Sequence, residues 1–210
     1  MKNIKINWAF GFVLLLAGFL VPVKSEAQIA VIGGGNLSTV RSEVTLENKE
    51  AIFGYHFGYQ LQYFPVKSLE KWSVINELIF SRKGYLQQFE EDYDFHFNYL
   101  ALPVLINYSP ISFLSVQGGV EFSKMISTNI KQGLKTYNTF DIGLAFGVTA
   151  FDNKWVSIYS RATYGLLPML DYVGMDEMGN FTGDINDIHN LCYSLGIRIK
   201  LSNEKVKLYK

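Results

Sequence analysis

Cysteine is almost absent from the sequence, and long apolar runs are absent after its first two dozen residues. Cys192 is the only cysteine among 210 residues, which excludes an intramolecular disulfide framework. Basic and acidic residues number 19 each, so no excess of positive charge is available to neutralise nucleic acid phosphates. After the N-terminus, no apolar run reaches the roughly 20 residues of a membrane-spanning helix.

The N-terminal segment has the order of a secretory signal peptide. Lys2 and Lys5 precede an apolar run from Trp8 to Val21, and small residues at Ser25 and Ala27 mark a cleavage site after Ala27. A single N-terminal membrane anchor is the alternative. Cleavage would remove three basic residues and one acidic residue, which leaves 16 basic and 18 acidic residues. We therefore expect an exported protein with a small negative charge.

Alternating side chains predict the strands. Between Ala51 and Phe64, apolar or aromatic residues occupy every second position, and mostly small or polar residues lie between them. Successive strand side chains point to opposite faces, so this run predicts one apolar and one polar face. Seven further runs show the same alternation, the last four more weakly: 114–122, 140–150, 191–201, 28–38, 72–84, 96–108 and 155–166. Pro103 cannot donate a backbone hydrogen bond, so we expect interrupted pairing there.

The connections between these runs alternate in length. Residues 64–71, 109–112 and 152–154 are short turns, whereas 39–50, 85–94, 126–136 and 167–188 are longer and more polar. Short turns at one rim and long loops at the other are typical of outer-membrane barrels. The sequence therefore predicts an all-β protein, an eight-stranded antiparallel transmembrane up-and-down β-barrel over residues 28–201. Residues 1–27 would be the signal peptide and residues 202–210 a short C-terminal tail.

A soluble β-barrel or a two-sheet sandwich is the rival fold. In those folds, the polar face of each strand meets water and is rich in charged residues. Here that face carries mainly Gly, Ser, Thr, Ala and Gln, and aromatic residues lie near the ends of the apolar runs. Aromatic girdles of this kind favour the membrane barrel.

Five short motifs in order resemble a known family. They are Gly33–Ser38 (GGGNLS), Asn76–Gly84 (NELIFSRKG), Asn98–Leu105 (NYLALPVL), Gln117–Gly119 (QGG) and Phe140–Leu144 (FDIGL). Together they resemble the PorT-like outer-membrane β-barrel family, which is common in Bacteroidetes. The resemblance implies an eight-stranded barrel in the bacterial outer membrane. It also implies a link to protein secretion, because the namesake of the family is associated with type IX secretion.

The polar face of the strands would point into a narrow lumen. Eight strands leave space that side chains can fill, or that holds at most a small ligand. The charged and histidine residues predicted to face inward are His56, Glu77, Glu121, Asp141, Arg161, Arg198 and Lys200. Because their signs are mixed, we expect a salt-bridge network that plugs the barrel; a narrow polar path or proton route is the alternative. No motif for a catalytic, cofactor or metal site stands out.

The last long loop is the predicted contact surface. It carries Tyr172, Met175, Met178 and Phe181, and loops on rigid scaffolds often bind partners. We therefore expect a non-enzymatic outer-membrane barrel, monomeric and surrounded by lipid, that is structural or binds envelope proteins through external loops. An accessory role in protein secretion, a narrow small-solute channel and a soluble periplasmic ligand-binding barrel are the alternatives.

Overall fold

The computed structural model describes residues 26–42, 49–65, 69–88, 92–131, 133–170, 172–175, 181–185, 188–201 and 206–207. Strands dominate these residues. The elements in chain order are β1 (Glu26–Arg41), β2 (Lys49–Phe64), β3 (Trp72–Gln88), β4 (Asp92–Ile111), β5 (Leu114–Thr128), α1 (Gly133–Thr136), β6 (Phe140–Ala150), β7 (Val156–Gly165), β8 (Tyr172–Met175), β9 (Phe181–Ile185), β10 (His189–Lys200) and β11 (Val206–Lys207). Within this part of the chain, no helix is long and apolar enough to span a membrane.

Eight of the strands form a closed antiparallel barrel. Strands β1 to β7 pair each with the next, β10 pairs with β7, and β10 also pairs with β1 to close the sheet. The predicted eight-stranded up-and-down barrel is therefore confirmed. Strands β8 and β9 form a separate two-stranded hairpin within the connection from β7 to β10.

The pairing register gives the tilt of the strands. A path of paired residues that leaves β1 at Ile29 crosses every barrel strand and returns to β1 at Thr39, ten residues farther along. The path runs Ile29, Leu61, Asn76, Val104, Val120, Leu144, Tyr164, Leu191, Thr39. With strands about 4.8 Å apart and a rise of about 3.3 Å per residue, this stagger tilts the strands by about 40°.

The exterior of the barrel is apolar. On β2, Phe53 is 80% exposed whereas the inward-facing His56 is only 5% exposed. The same alternation places Leu144 and Leu195 outside and Arg161 inside. At the calculated tilt, the apolar band from Trp72 to Phe53 is about 25 Å tall, the height of the lipid-facing band of outer-membrane barrels. Trp72 packs on Tyr108 at one edge of this band, with ring centroids 4.6 Å apart.

Pro103 interrupts the pairing of β3 with β4, as we expect for a residue without an amide hydrogen. The β3–β4 register pairs Asn76 with Val104 and then Ile79 with Ala101, and the two positions between them, including Pro103, are unpaired in that ladder. The register is unchanged across the gap, so the proline removes local pairing without shifting the strands.

The predicted loop boundaries are partly wrong. The sequence predicts a long loop over residues 85–94, but β3 continues to Gln88 and β4 begins at Asp92. The strands persist because inward Tyr85 and Phe97 still have a core to pack against. The connection over 126–136 likewise contains the end of β5 and the helix α1.

A two-residue strand near the C-terminus pairs with the first residues of β1. In β11, Val206 and Lys207 pair with Ala27 and Glu26 of β1. Most of the predicted signal peptide, residues 1–25, lies outside the described residues, so cleavage after Ala27 stays a prediction. The other residues of the predicted tail, 202–205 and 208–210, also lie outside them.

Candidate functional site

All seven predicted lumen residues lie inside the barrel, with Lys200 8% exposed. His56, Glu77, Glu121, Asp141, Arg161 and Arg198 are each at most 6% exposed. They come from six different strands and face inward because each lies on the small or polar parity of its strand. We call these side chains and their polar partners the lumen network. Eight strands leave so little space that every long polar side chain must meet another one.

An arginine–glutamate pair crosses the middle of the lumen. Arg161 donates from Nη1 to Glu77 Oε2 at 2.6 Å and from Nη2 to Glu77 Oε1 at 2.8 Å. Arg161 Nη2 also lies 3.4 Å from Gln117 Oε1, and Gln117 donates to Thr149 at 2.7 Å. This two-point geometry neutralises both charges and fixes both side chains. The pair spans the barrel from β3 to β7.

A second ion pair and a histidine lie on the long-loop side of this pair. Lys83 Nζ lies 2.6 Å from Glu121 Oε1, and both side chains are less than 10% exposed. His56 Nδ1 lies 2.7 Å from Asn36 Oδ1, and its Nε2 contacts the Tyr159 hydroxyl. The Tyr159 ring fits against the backbone of β10, where a Cβ on Gly196 would lie 2.7 Å from the ring. The glycine thus makes room for the tyrosine that holds the histidine.

The short-turn end is closed by an aspartate from a turn. Asp152 lies between β6 and β7, and its carboxylate contacts Arg198 and lies 3.9 Å from Lys200 Nζ. Arg198 also donates to Ser157 Oγ at 3.0 Å. Burial alone would raise the pKa of the Asp152 carboxyl, but the neighbouring Arg198 guanidinium and its hydrogen bonds hold that pKa below its usual range. The carboxylate therefore remains charged and paired at neutral pH.

The long-loop end is closed by apolar side chains. A buried cluster, here called the mouth cluster, consists of Val40, Tyr85, Phe97, Tyr99, Met125, Met169 and Ile188. Met169 and Ile188 come from the connection between β7 and β10, and Met169 N donates to Ile188 O at 2.6 Å. Below the cluster, Asn190 donates to Asp141 Oδ2 at 2.9 Å and to the Tyr99 hydroxyl at 3.3 Å. The loop base therefore folds into the barrel and covers its entrance.

Between these layers lies one small cavity that the described residues outline. Its volume is about 20 Å³, and its walls include His56, Lys83, Glu121, Arg161 and Cys192. A space of this size holds about one water molecule. This cavity is therefore too small for a solute.

The predicted contact surface is described only in its backbone. Tyr172 and Met175 lie in β8 and Phe181 lies in β9, which pair as a hairpin beyond the mouth cluster. The side chains of these three residues and the whole of Met178 lie outside what the structure describes. The base of the hairpin is held by the bridge between Tyr137 and Leu170 and by hydrogen bonds from Asn138 to Met169 O and Pro168 O, at 2.9 and 3.0 Å.

Sequence reasoning missed two charged partners in the lumen. Lys83 shares the inward parity of Glu77 and Ser81 on β3, so the alternation could have identified it as a lumen residue. Asp152 lies in a turn, where alternation gives no direction, and only the folded turn brings it against Arg198. Lys83 pairs with the predicted lumen residue Glu121, and Asp152 pairs with the predicted lumen residue Arg198.

Within the described ranges, no group of three or more His, Cys, Asp and Glu side chains is arranged to hold a metal ion. The acidic groups of the lumen network are each engaged by a cation or an amide.

Residues 22–171 match the protein family described as "Outer membrane protein beta-barrel domain". No characterised protein sequence matches the chain significantly. Three similar solved structures are neisserial surface protein A (13% identity, TM-score 0.46, 83% of this chain and 99% of that chain), Ail of Yersinia pestis (15%, 0.47, 84% and 99%) and OprG of Pseudomonas aeruginosa (11%, 0.46, 85% and 98%).

Proposed function

Because the chain belongs to the outer membrane protein beta-barrel domain family and lies in the bacterial outer membrane, we propose that it is a plugged, non-enzymatic, monomeric barrel that presents external loops to a partner. The observation that carries the proposal is the continuous filling of the lumen. Ion pairs occupy its short-turn end and its middle, and the mouth cluster occupies its long-loop end. A lumen filled in this way supports a scaffold rather than a path for solutes.

The loop base supports the second half of the proposal. Met169 and Ile188 are 2% and 4% exposed, so the connection between β7 and β10 is anchored in the barrel on both sides of the β8–β9 hairpin. A hairpin held by buried anchors loses little conformational freedom when it binds, which favours affinity. Long loops of outer-membrane barrels face the cell exterior. The hairpin is therefore the expected contact surface.

Conductance in planar bilayers tests the plug. We expect the purified barrel, shown to be inserted and folded by heat-modifiable gel migration, to give no stable conductance steps. A general porin reconstituted in the same way is the positive control. A steady ohmic conductance from the wild-type protein would refute the plugged barrel and support the narrow channel.

A partner in protein secretion is the finer form of this proposal, and it rests on the resemblance to PorT-like barrels. Replacing residues 171–187 with a Gly/Ser linker would remove the hairpin while keeping Met169 and Ile188. If secretion components bind there, cells that carry this variant will lose secreted cargo while the barrel still folds in the outer membrane. Normal secretion in those cells, and in cells that lack the gene, would exclude the secretion role but would leave other partners possible.

A further inference from the structure

The hairpin of β8 and β9 is a sheet of only two strands. Within the described residues, β8 pairs with β9 and neither strand pairs with any other. The middle pair of the hairpin is Gly174 with Gly183, and glycine has no side chain that could pack against a cross-strand neighbour. An isolated two-stranded hairpin is marginally stable in water, whereas a third strand makes a sheet more stable. The hairpin is therefore suited to accept a third strand.

The two free edges of this hairpin differ in their protection. Proteins block exposed strand edges with charged residues, proline or β-bulges. On β9, Asp184 supplies a charge, and the register shift beside Met175 leaves Thr182 as an extra, bulged residue. Strand β8, with the sequence YVGM, contains no charged residue and no proline. The backbone groups on the free edge of β8 are therefore the ones that can pair with another strand.

The chain around β8 is acidic. Residues 171–187 contain no lysine, arginine or histidine. Their acidic residues are Asp171, Asp176, Glu177, Asp184 and Asp187. Clustered negative charge speeds the approach of a basic partner and disfavours an acidic one. A strand that adds to β8 should therefore carry basic residues.

We propose that β8 binds an extended, basic peptide segment of the partner as a third strand of the hairpin, an inference that rests on the proposed function of this hairpin as the contact surface. Backbone N–H and C=O groups of the segment would pair with those of β8, and these hydrogen bonds would supply the affinity. Met169 and Ile188, buried on either side of the hairpin, hold its base in the barrel. The added strand would therefore extend an anchored sheet.

N-methylated peptides test for strand addition. Short peptides would be selected from a displayed library against the barrel in phosphatidylcholine nanodiscs, and those that require residues 171–187 would be synthesised. One version of each peptide would carry N-methyl groups on its odd-numbered amides and another version on its even-numbered amides. Successive N–H groups of a strand point to opposite edges, so only one of the two sets faces β8.

The two methylated versions should differ in affinity. The version that loses about two backbone hydrogen bonds to β8 should bind at least about tenfold more weakly than the unmodified peptide, and the other should bind within about twofold of it. Peptide binding should also slow hydrogen exchange at alternate amides of β8 and leave exchange in β9 unchanged. The selected peptides should be enriched in lysine and arginine.

Neutralising the acidic residues tests the preference for a basic segment. The combined variant Asp171→Asn, Asp176→Asn and Glu177→Gln should weaken binding at least about threefold, while the difference between the two methylated versions persists. Glu70→Gln, which removes an exposed acidic residue in the short turn between β2 and β3, should match the wild type. Heat-modifiable migration confirms that each variant is folded before it is measured.

The outcomes distinguish strand addition from contact by the hairpin in general. Equal affinities of the two methylated versions would overturn strand addition but leave the hairpin as the contact surface. Slowed exchange in β9 rather than β8 would overturn the choice of edge, and selected peptides without an excess of basic residues would overturn the choice of partner. If every selected peptide still binds after a Gly/Ser linker replaces residues 171–187, the hairpin is not the contact surface, and the proposed function fails together with this inference.

Discussion

Removing Arg161 tests whether the centre of the lumen is dry. The Arg161 and Glu77 side chains are 6% and 1% exposed, and two hydrogen bonds of 2.6 and 2.8 Å join them. Arg161→Met leaves the buried carboxylate without the guanidinium that neutralises it, which costs about 3–5 kcal/mol in the free energy of unfolding. Replacing both residues with methionine removes both charges, and we expect that double variant to lie within about 1 kcal/mol of the wild type.

Urea unfolding in phosphatidylcholine vesicles, followed by heat-modifiable gel migration, measures these free energies. Lys154→Met in the exposed turn is the control, and it should change stability by less than about 0.5 kcal/mol. A cost below about 1 kcal/mol for Arg161→Met would have the size of an exposed ion pair. That result would mean that water reaches the pair, and the plugged lumen would be wrong.

Three further changes test the faces and the turn. Leu144→Arg places a charge in the lipid-facing band and should cost about 2–4 kcal/mol of stability, whereas Leu144→Ile should be nearly neutral in the same urea assay. Gly196→Ala should lower the urea midpoint, because its Cβ would meet a ring at 2.7 Å, whereas Gly118→Ala makes only an ordinary contact at 3.5 Å and should not. Arg198 lowers the pKa of the Asp152 carboxyl. The ion pair therefore stabilises the fold above pH about 4, the pKa of an unfolded aspartate, and this contribution is lost as the pH falls further. Urea midpoints measured against pH should therefore fall less on the acid side for Asp152→Asn than for the wild type.

Alternation predicted the faces of the barrel because each strand meets only two environments. Phe53 and His56 differ in exposure since one faces outward and the other faces the lumen, and a residue period of two carries that information directly. The same rule explains why strand β6 has the predicted bounds, Phe140–Ala150, at both ends.

Strand ends and lumen partners depend on contacts between distant parts of the chain. Strands β3 and β4 extend past the predicted loop because Tyr85 and Phe97 join Met169 in the mouth cluster, and Met169 lies more than 70 positions later in the sequence. Asp152 reaches Arg198 through a turn in which Phe151 adopts a positive φ of 59°. A local pattern cannot predict such contacts, because a turn reverses the chain and thereby the direction of each side chain.

The distribution of charge separates the lumen from the outer rim. Among the described residues, the buried charged side chains are four acidic and four basic, namely Glu77, Glu121, Asp141, Asp152, Lys83, Arg161, Arg198 and Lys200. A pore that selects ions by charge carries a ring of side chains of one sign. The equal numbers of buried acidic and basic side chains instead favour pairs that neutralise each other. On the outside, the edge of the apolar band is basic at Arg41, Arg82 and Lys124. The interior charges can therefore stabilise the fold by neutralising one another, and substitutions of the distant exterior charges should leave the measured effect of Arg161→Met unchanged.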